Sequence, residues 1–360
     1  MTQASAASTP PAACLDRLRQ EVLDPGLCVA CGACLGLCPH LLLYDGQMAA
    51  PDPCGLADGR CIDLCPQNPG PDPRQRRAGL QAARGLGDEA PLGPVRRAWW
   101  GRAQAADLGG RAQYGGVVSA LTALALEQGL IEEAVLTQAG QRGTPEGVRV
   151  RDREGVLACA GSIYAAGGSL QALNQALAEP AEHPLGVVAL PCQSLAAAAM
   201  GAHPRYPAGR RLKLVIGLFC TMNLSARGLR QVLGQAGVEG AVTRSDFPPP
   251  PAGVLVVTTR RGVSEIPLEK VRPITLKGCA FCPDLTAELA DISVGAAEGS
   301  PGWNTIIARS RTGQDLMELA LAKGLVEAKA VPEESWAHLT AAAAGKRARA
   351  GSAREEINHG

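Results

Sequence analysis

Four cysteines fall within eleven residues in the segment CVACGACLGLCP, spaced Cys28-x2-Cys31-x2-Cys34-x3-Cys38 and followed by Pro39. Three sulfurs two residues apart on a tight loop, its crowding relieved by Gly32 and Gly36, face three corners of a single cubane. The fourth reaches toward another, and the proline turns the chain away. A structural zinc site instead draws on two separated Cys-x2-Cys pairs. The chain holds 13 cysteines, about 4% of its length, against the ~8–10% of small disulfide scaffolds. Their number is odd and seven lie between Cys28 and Cys65, a crowding that reads as metal ligation in a cytoplasmic chain.

Further on, Cys54-x6-Cys61-x3-Cys65-Pro66 is a degraded copy of that run, as the second half of a two-cluster bacterial ferredoxin would be. Counted back from Cys65, Cys61 keeps its place, while the two other expected cysteine positions fall at Asp58 and Gly55. The spacing assigns one 4Fe-4S cluster to Cys28, Cys31, Cys34 and Cys65. A second falls to Cys38, Cys54, Cys61 and a fourth group left open, with Asp58 a candidate because carboxylates also ligate iron. That second cluster is 4Fe-4S or 3Fe-4S; the alternative is that Cys54 and Cys61 are merely buried thiols. Cys14 and Cys159 stand apart.

With 360 residues the chain exceeds the ~250–300 at which a single core stops growing, so more than one domain is expected. Hydrophobic residues make up 46% and aromatics only 3%, which calls for a core of Ala, Val and Leu and offers little to stack on bases. A net charge of +1 supplies no basic surface for a polyanion, so no nucleic-acid partner is expected. No run of ~18 apolar residues is present to span a membrane. The opening MTQASAASTPPAAC lacks the pattern of an export signal, and a soluble cytoplasmic protein is the expectation.

Along the chain, 1–24 reads as a flexible arm, 25–70 as a ferredoxin-like iron–sulfur domain, and 71–98 as a linker rich in Pro, Gly and charge. Residues 99–330 read as a mixed α/β (α+β) domain and 331–360 as a helical or frayed tail. GGVVSALTALALEQGL reads as a helix feeding the strand EEAVLT. LGVVAL and LKLVIGLF read as buried strands, separated by the helical patterns SLQALNQAL and ARGLRQVLG, and VLVVTT with VSEIPL as a hairpin. Arg74, Arg76, Arg77 and the tail segment GKRARA read as solvated charge, or else as a dock for an acidic ferredoxin. His183 and His203 read as packed or solvent-facing residues. No complete G-x-G-x-x-G follows a strand, so a nicotinamide-binding site of that kind is not expected.

Cys192, in LPCQ, and Cys220, in GLFCTMN, each follow an expected strand. In an α/β sheet the carboxyl ends of strands converge on the ligand crevice, so these two and the pair Cys279-x2-Cys282 are candidates for one four-thiolate site. Singly, each would more often be a buried core residue.

The words GGVVSAL, LPCQ, IGLFCTMN, CAFCPDLTAELADISVG and GSPGWNTIIARS closely resemble the beta subunit family of coenzyme F-420 hydrogenases and formate dehydrogenases. The resemblance covers roughly residues 110–310. It implies a flavoprotein oxidoreductase with FAD and one 4Fe-4S cluster on Cys192, Cys220, Cys279 and Cys282, often behind an added ferredoxin-like domain. It also implies flavin contacts at Gly115, Gly116 and Ser119, at Ser162 and Tyr164, and in the block Asp291, Ser293, Gly295, Trp303, Asn304 and Thr305. A Gly pair opening a helix also suits a pyrophosphate on its own account. The implied activity is electron transfer. FAD would exchange hydride with a small redox carrier such as coenzyme F-420, and clusters would pass single electrons to or from a hydrogenase, dehydrogenase subunit or ferredoxin in a hetero-oligomeric complex. The alternative is a relay subunit without its own flavin. Many members read GSPDGW where this chain has GSPGW, which weakens any inference about substrate from that loop.

Overall fold

The computed structural model describes residues 14–56, 59–68, 70, 73–87, 89–104, 108, 111–140, 143–248 and 252–359, with only the backbone at 73, 74 and 357–359. The chain opens with α1 (Cys14–Leu18), a π-helical turn to Leu23, the hairpin β1 (Leu42–Tyr44) and β2 (Gln47–Ala49), and the single turn α2 (Arg60–Asp63). Next come α3 (Pro73–Ala83), β3 (Arg97–Ala103), α4 (Val117–Glu127), β4 (Glu133–Ala139), β5 (Pro145–Val150), α5 (Arg153–Ala158) and α6 (Leu170–Ala178). The middle of the chain holds β6 (Leu185–Ala189), α7 (Pro191–Ala202), β7 (Leu212–Leu218), α8 (Ala226–Gln235), β8 (Val242–Asp246), β9 (Val254–Thr259), β10 (Gly262–Pro267) and α9 (Leu268–Val271). It closes with β11 (Ile292–Ala296), β12 (Asn304–Ala308), α10 (Arg311–Ala322), β13 (Val326–Lys329) and α11 (Glu333–His359).

Eight strands make one mixed sheet in the order β13-β3-β12-β11-β7-β6-β4-β5. Its centre, β11-β7-β6-β4, is parallel and its flanks are antiparallel. The central strands are short aliphatic runs, as burial under covering helices requires. On one face Val117, Leu121 and Leu124 of α4 pack with Leu316, Met317 and Ala320 of α10. On the other, α6 and α7 pack with the main core. The class is mixed α/β, as the alternation of apolar strand and amphipathic helix predicts. The hairpin β9–β10 forms as expected and, with β8, makes a separate three-stranded sheet.

The cysteine-rich N-terminal segment is fused to this domain. Gly168 N donates to Ala30 O at 2.8 Å, Leu170 N to Cys31 O at 3.0 Å, and the Asn174 amide to Ala33 O and Leu35 O. The backbones touch so closely that a Cβ on Gly32, whose φ is +86°, would stand 2.2 Å from Gly168 O. One on Gly278 would stand 2.0 Å from Leu27 O.

Two expected segments change, and the third, the helical tail, is docked. The segment 14–23 is helical rather than a loose arm, with Cys14, Leu15 and Leu18 buried; residues 1–13 lie outside the described residues. The expected linker contains α3, held because Arg76 donates to Cys65 O and Asp63 O, and Arg77 pairs with buried Asp284. The tail is a docked helix: Trp336, Leu339 and Ala343 pack on Leu92 and Leu285, and Lys346 is buried. The arginines and the GKRARA lysine expected in solvent thus anchor these helices. The side chain of Arg74 lies outside the described residues.

Gly32→Ala is expected to lower stability by about 2–4 kcal/mol through a forbidden φ and the clash with Gly168. Gly234→Ala, in α8 with open space around it, is expected to be neutral or stabilising by about 0.5–1 kcal/mol. Urea denaturation midpoints compare the two.

Candidate functional site

At the carboxyl edge of the parallel strands the chain gathers sulfur. After β6, Leu190 and Pro191 open α7, so Cys192 sits in the first turn of the helix; the Leu190 amide is taken up by Gln193 Oε1 at 2.8 Å. After β7, Cys220 is tied by its backbone N–H to Leu285 O. Cys279 and Cys282 lie at the 3-10 turn Lys277–Phe281, which hydrogen bonds bring against the same loop: Asn223 N donates to Cys279 Sγ at 3.4 Å. All thirteen cysteines are free thiols.

Burial pushes the Cys192 thiol well up, and so does the nearness of Cys31, Cys282, Cys220 and Cys279. Burial likewise pushes Cys220 up to about 12, raised further by Cys279 and Cys282 and drawn down by Lys346. The four expected cysteines therefore share one environment. Sulfurs so desolvated release their protons only to a Lewis acid, and such a donor set fits a thiophilic metal cluster.

The N-terminal set behaves alike. Cys34 is pushed up by burial and then by Cys31, Cys65, Cys28 and Cys61, and Cys65, pushed up to about 12, feels Cys28. Cys28, Cys31, Cys34 and Cys65 line one small hollow. Cys38, Cys54 and Cys61 line a second, wider concavity together with Cys14. Asp58 lies outside the described residues. Among the described residues no three His, Cys, Asp or Glu side chains are arranged to hold a single metal ion; the ligands of a four-iron cluster each take a different iron and so stand farther apart.

The expected flavin contacts divide. Gly115, Gly116, Gly295 and Asn304 meet: Asn304 Nδ2 donates to Gly295 O at 3.0 Å, and Asn304 Oδ1 accepts from Val117 N, the first residue of α4. Gly116, at φ +71°, makes the turn into α4, whose first turn carries no acidic residue and whose first N–H is taken by Asn304. Ser119 follows on that turn and Thr305 pairs with Gly295. Tyr164, with Ser162 beside it, stacks edge-on against Phe247 at 4.6 Å and is linked to Tyr114 next to Gly115.

The rest of the block stands elsewhere. Asp291 precedes β11 at its amino end, where its carboxylate accepts from Val215 N and Ser310 and pairs with Arg84. Ser293 is fully buried, accepting from Arg309 and donating to Ala287 O. Trp303 is held on the antiparallel flank between the cations of Lys329 (4.1 Å) and Arg102 (4.8 Å). Asp291 and Ser293 thus brace the sheet, while Trp303 stands directly before Asn304 at the start of β12. His203 pairs with Asp63, and His183 lies near Glu133 and Arg211.

Sequence reasoning missed several residues. Tyr114 donates to Asp246 at 2.6 Å beside the glycine pair, and its place before Gly115 was the available signal. Lys346 Nζ donates to Cys220 O at 2.6 Å and Asp284 O at 2.8 Å. Burial alone would lower its pKa, but Cys282, Cys220 and Asp284 hold it above the usual range. Next to it, Asp284 and Glu288 face Arg77, Arg309 and Arg347.

The chain matches both family models of the coenzyme F420 hydrogenase/dehydrogenase beta subunit, the N-terminal one over residues 98–174 and the C-terminal one over 183–334. It is 31% identical over 228 residues to the coenzyme F420 hydrogenase subunit beta of Methanothermobacter thermautotrophicus, covering 62% of this chain and 80% of that protein. With the coenzyme F420-dependent sulfite reductase of Methanocaldococcus jannaschii it shares 28% identity over 82% of this chain and 46% of that protein. A chain of the F420-reducing [NiFe] hydrogenase complex from Methanosarcina barkeri superposes with a TM-score of 0.70 at 25% identity, over 75% of this chain and 95% of that one.

Arg77→Met is expected to cost about 3–5 kcal/mol by stranding the buried carboxylates of Asp284 and Glu288. Adding Glu288→Gln should recover part of the loss, read by denaturant unfolding of both variants.

Proposed function

Because the chain belongs to the coenzyme F420 hydrogenase/dehydrogenase beta subunit family, a family of oxidoreductase subunits, we propose that it exchanges hydride with a small carrier of the F420 kind and relays single electrons to or from a protein partner. The observation that carries this reading is the meeting of two thiol groups: Cys31 of the N-terminal set lies in the core against which Cys192 and Cys279 of the sheet-edge set pack, its carbonyl fastened to Leu170 N at 3.0 Å.

Bound FAD would supply the conversion between an electron pair and single electrons, and 4Fe-4S clusters the one-electron steps. The residues divide that work. Cys192, Cys220, Cys279 and Cys282 would hold one cluster, and Cys28, Cys31, Cys34 and Cys65 a second in a ferredoxin-like loop. The amino end of α4, with Gly116 in the left-handed region and no acidic side chain in the first turn, offers the backbone N–H groups beyond Val117 and a positive helix end to a pyrophosphate. Asn304, fixed by Gly295 O, would orient what binds beside that end. Lys346 adds a buried positive charge next to the sheet-edge thiols, which would favour the reduced, more negative state of a cluster held there.

The names of the relatives favour F420 as the carrier. A hydrogenase or other redox subunit, or a ferredoxin, is the expected partner in a complex, and none of the described helices is long and apolar enough to cross a membrane.

Anaerobic purification with iron, sulfide and flavin counted per chain is the test. One FAD with ~8–12 iron supports the reading, reduced F420 should bleach the flavin, and Cys220→Ser should remove ~4 iron while the N-terminal iron stays. Iron without flavin would leave a relay subunit, and zinc in place of iron would overturn the reading. Lys346→Met should lower the potential of the sheet-edge cluster by on the order of tens of millivolts in a redox titration followed by EPR.

A further inference from the structure

The spacing of the N-terminal cysteines leaves the group around Cys38, Cys54 and Cys61 one ligand short. We propose that Cys14, from the first helix, is the fourth thiolate of the cluster held by Cys38, Cys54 and Cys61. This rests on the reading that these three cysteines carry a cluster at all.

The geometry is specific. Cys14 Sγ lies 3.0 Å from Cys61 Sγ, and its thiol donates to Gly59 O at 2.8 Å. Cys14 is 1% exposed and lines the same concavity as Cys38, Cys54 and Cys61. The Cys14 amide donates to Leu56 O at 2.8 Å, so the helix is fastened to the loop between Cys54 and Cys61. Gly59 makes the approach possible, since a Cβ there would stand 2.7 Å from Cys14 Sγ and 3.5 Å from Cys61 Sγ.

The other described polar side chains lining the concavity are His40, Arg60 and Arg205. The arginines are cations and cannot ligate. A thiolate completes an all-sulfur set with the other three, and soft sulfur is the donor that iron–sulfur clusters select. On assembly the Cys14 S–H proton leaves to solvent and an iron–sulfur bond replaces it, with no change in oxidation state. The two sulfurs part as each takes its own iron, and the concavity gives them room.

The test compares wild type with Cys14→Ser and Cys14→Ala, expressed as the full chain and purified anaerobically, with Cys159→Ala as control. Wild type is expected to hold ~12 iron, and both Cys14 variants ~11 or fewer with the EPR signal of an oxidised 3Fe-4S cluster. Circular dichroism should show both variants folded, and Cys159→Ala should keep wild-type iron. Wild-type iron and spectra in both Cys14 variants would overturn the proposal, and so would the same loss appearing in His40→Ala or Asp58→Asn with Cys14 intact. A Cys14–Cys61 disulfide found by alkylation and mass spectrometry of the anaerobic protein would also overturn it. Wild type holding only ~8 iron would instead sink the reading of a second N-terminal cluster, and Cys14 with it.

Discussion

The contact on which the arrangement depends is backbone against backbone: the Cys28–Cys34 loop pressed onto the turn entering α6. Side-chain packing tolerates a shift of a few tenths of an ångström by changing rotamer. Main-chain hydrogen bonds from Gly168 and Leu170 to Ala30 and Cys31, with no room for a Cβ on Gly32, do not. Asn174, 1% exposed, adds bonds to three carbonyls of the same loop. The thiols of two distant stretches of sequence are therefore registered to each other by the least deformable part of the protein, with Val29, Cys31, Ala33 and Leu64 sharing a core with α6 and α7.

Around the sheet-edge thiols the chain buries charge, which is costly unless every group is paired. Arg309, 2% exposed, uses its guanidinium on Ser293, Leu92 O, Pro94 O and Thr286. Burial alone would raise the Asp284 pKa, but Arg77 and Arg309 hold it below the usual range, while burial and Asp284 push Glu288 up to about 7. Such a network adds little net stability, yet it fixes the segment from Cys282 to Glu288. Asp284 caps the turn by accepting from the amides of Thr286 and Glu288.

Much of this was legible in the sequence where one physical signal dominated. The cysteine spacing and the aliphatic runs named the thiol groups and the central strands, because sulfur crowding and two-sided burial leave few alternatives. Legibility failed where a helix buries charge. In α3 and the residue after it the inward positions are Arg76, Arg77, Leu80, Gln81 and Arg84; in α11 they are Trp336, Leu339, Ala343, Lys346 and Ala350. Both sets follow helical spacing, but a hydrophobic pattern sees only the apolar members, so the segments looked like a linker and a tail. Cys14 was missed for a different reason: its partner is 47 positions away, and no local spacing encodes that. Asp291 and Ser293 stood in the same block as Asn304, but the structure ties their side chains to Val215, Ser310, Arg309 and Ala287, and neighbouring letters do not carry that.

The position of α11 bears on how the sheet-edge thiols meet water. Lys346 and Arg354 reach from this helix to Cys220 O and Phe281 O, against the loops that bear the sheet-edge cysteines. A helix fastened there by a few side-chain contacts opens more readily than a central strand of the sheet. Its local opening, rather than unfolding of the sheet, would therefore set how often those sulfurs see solvent.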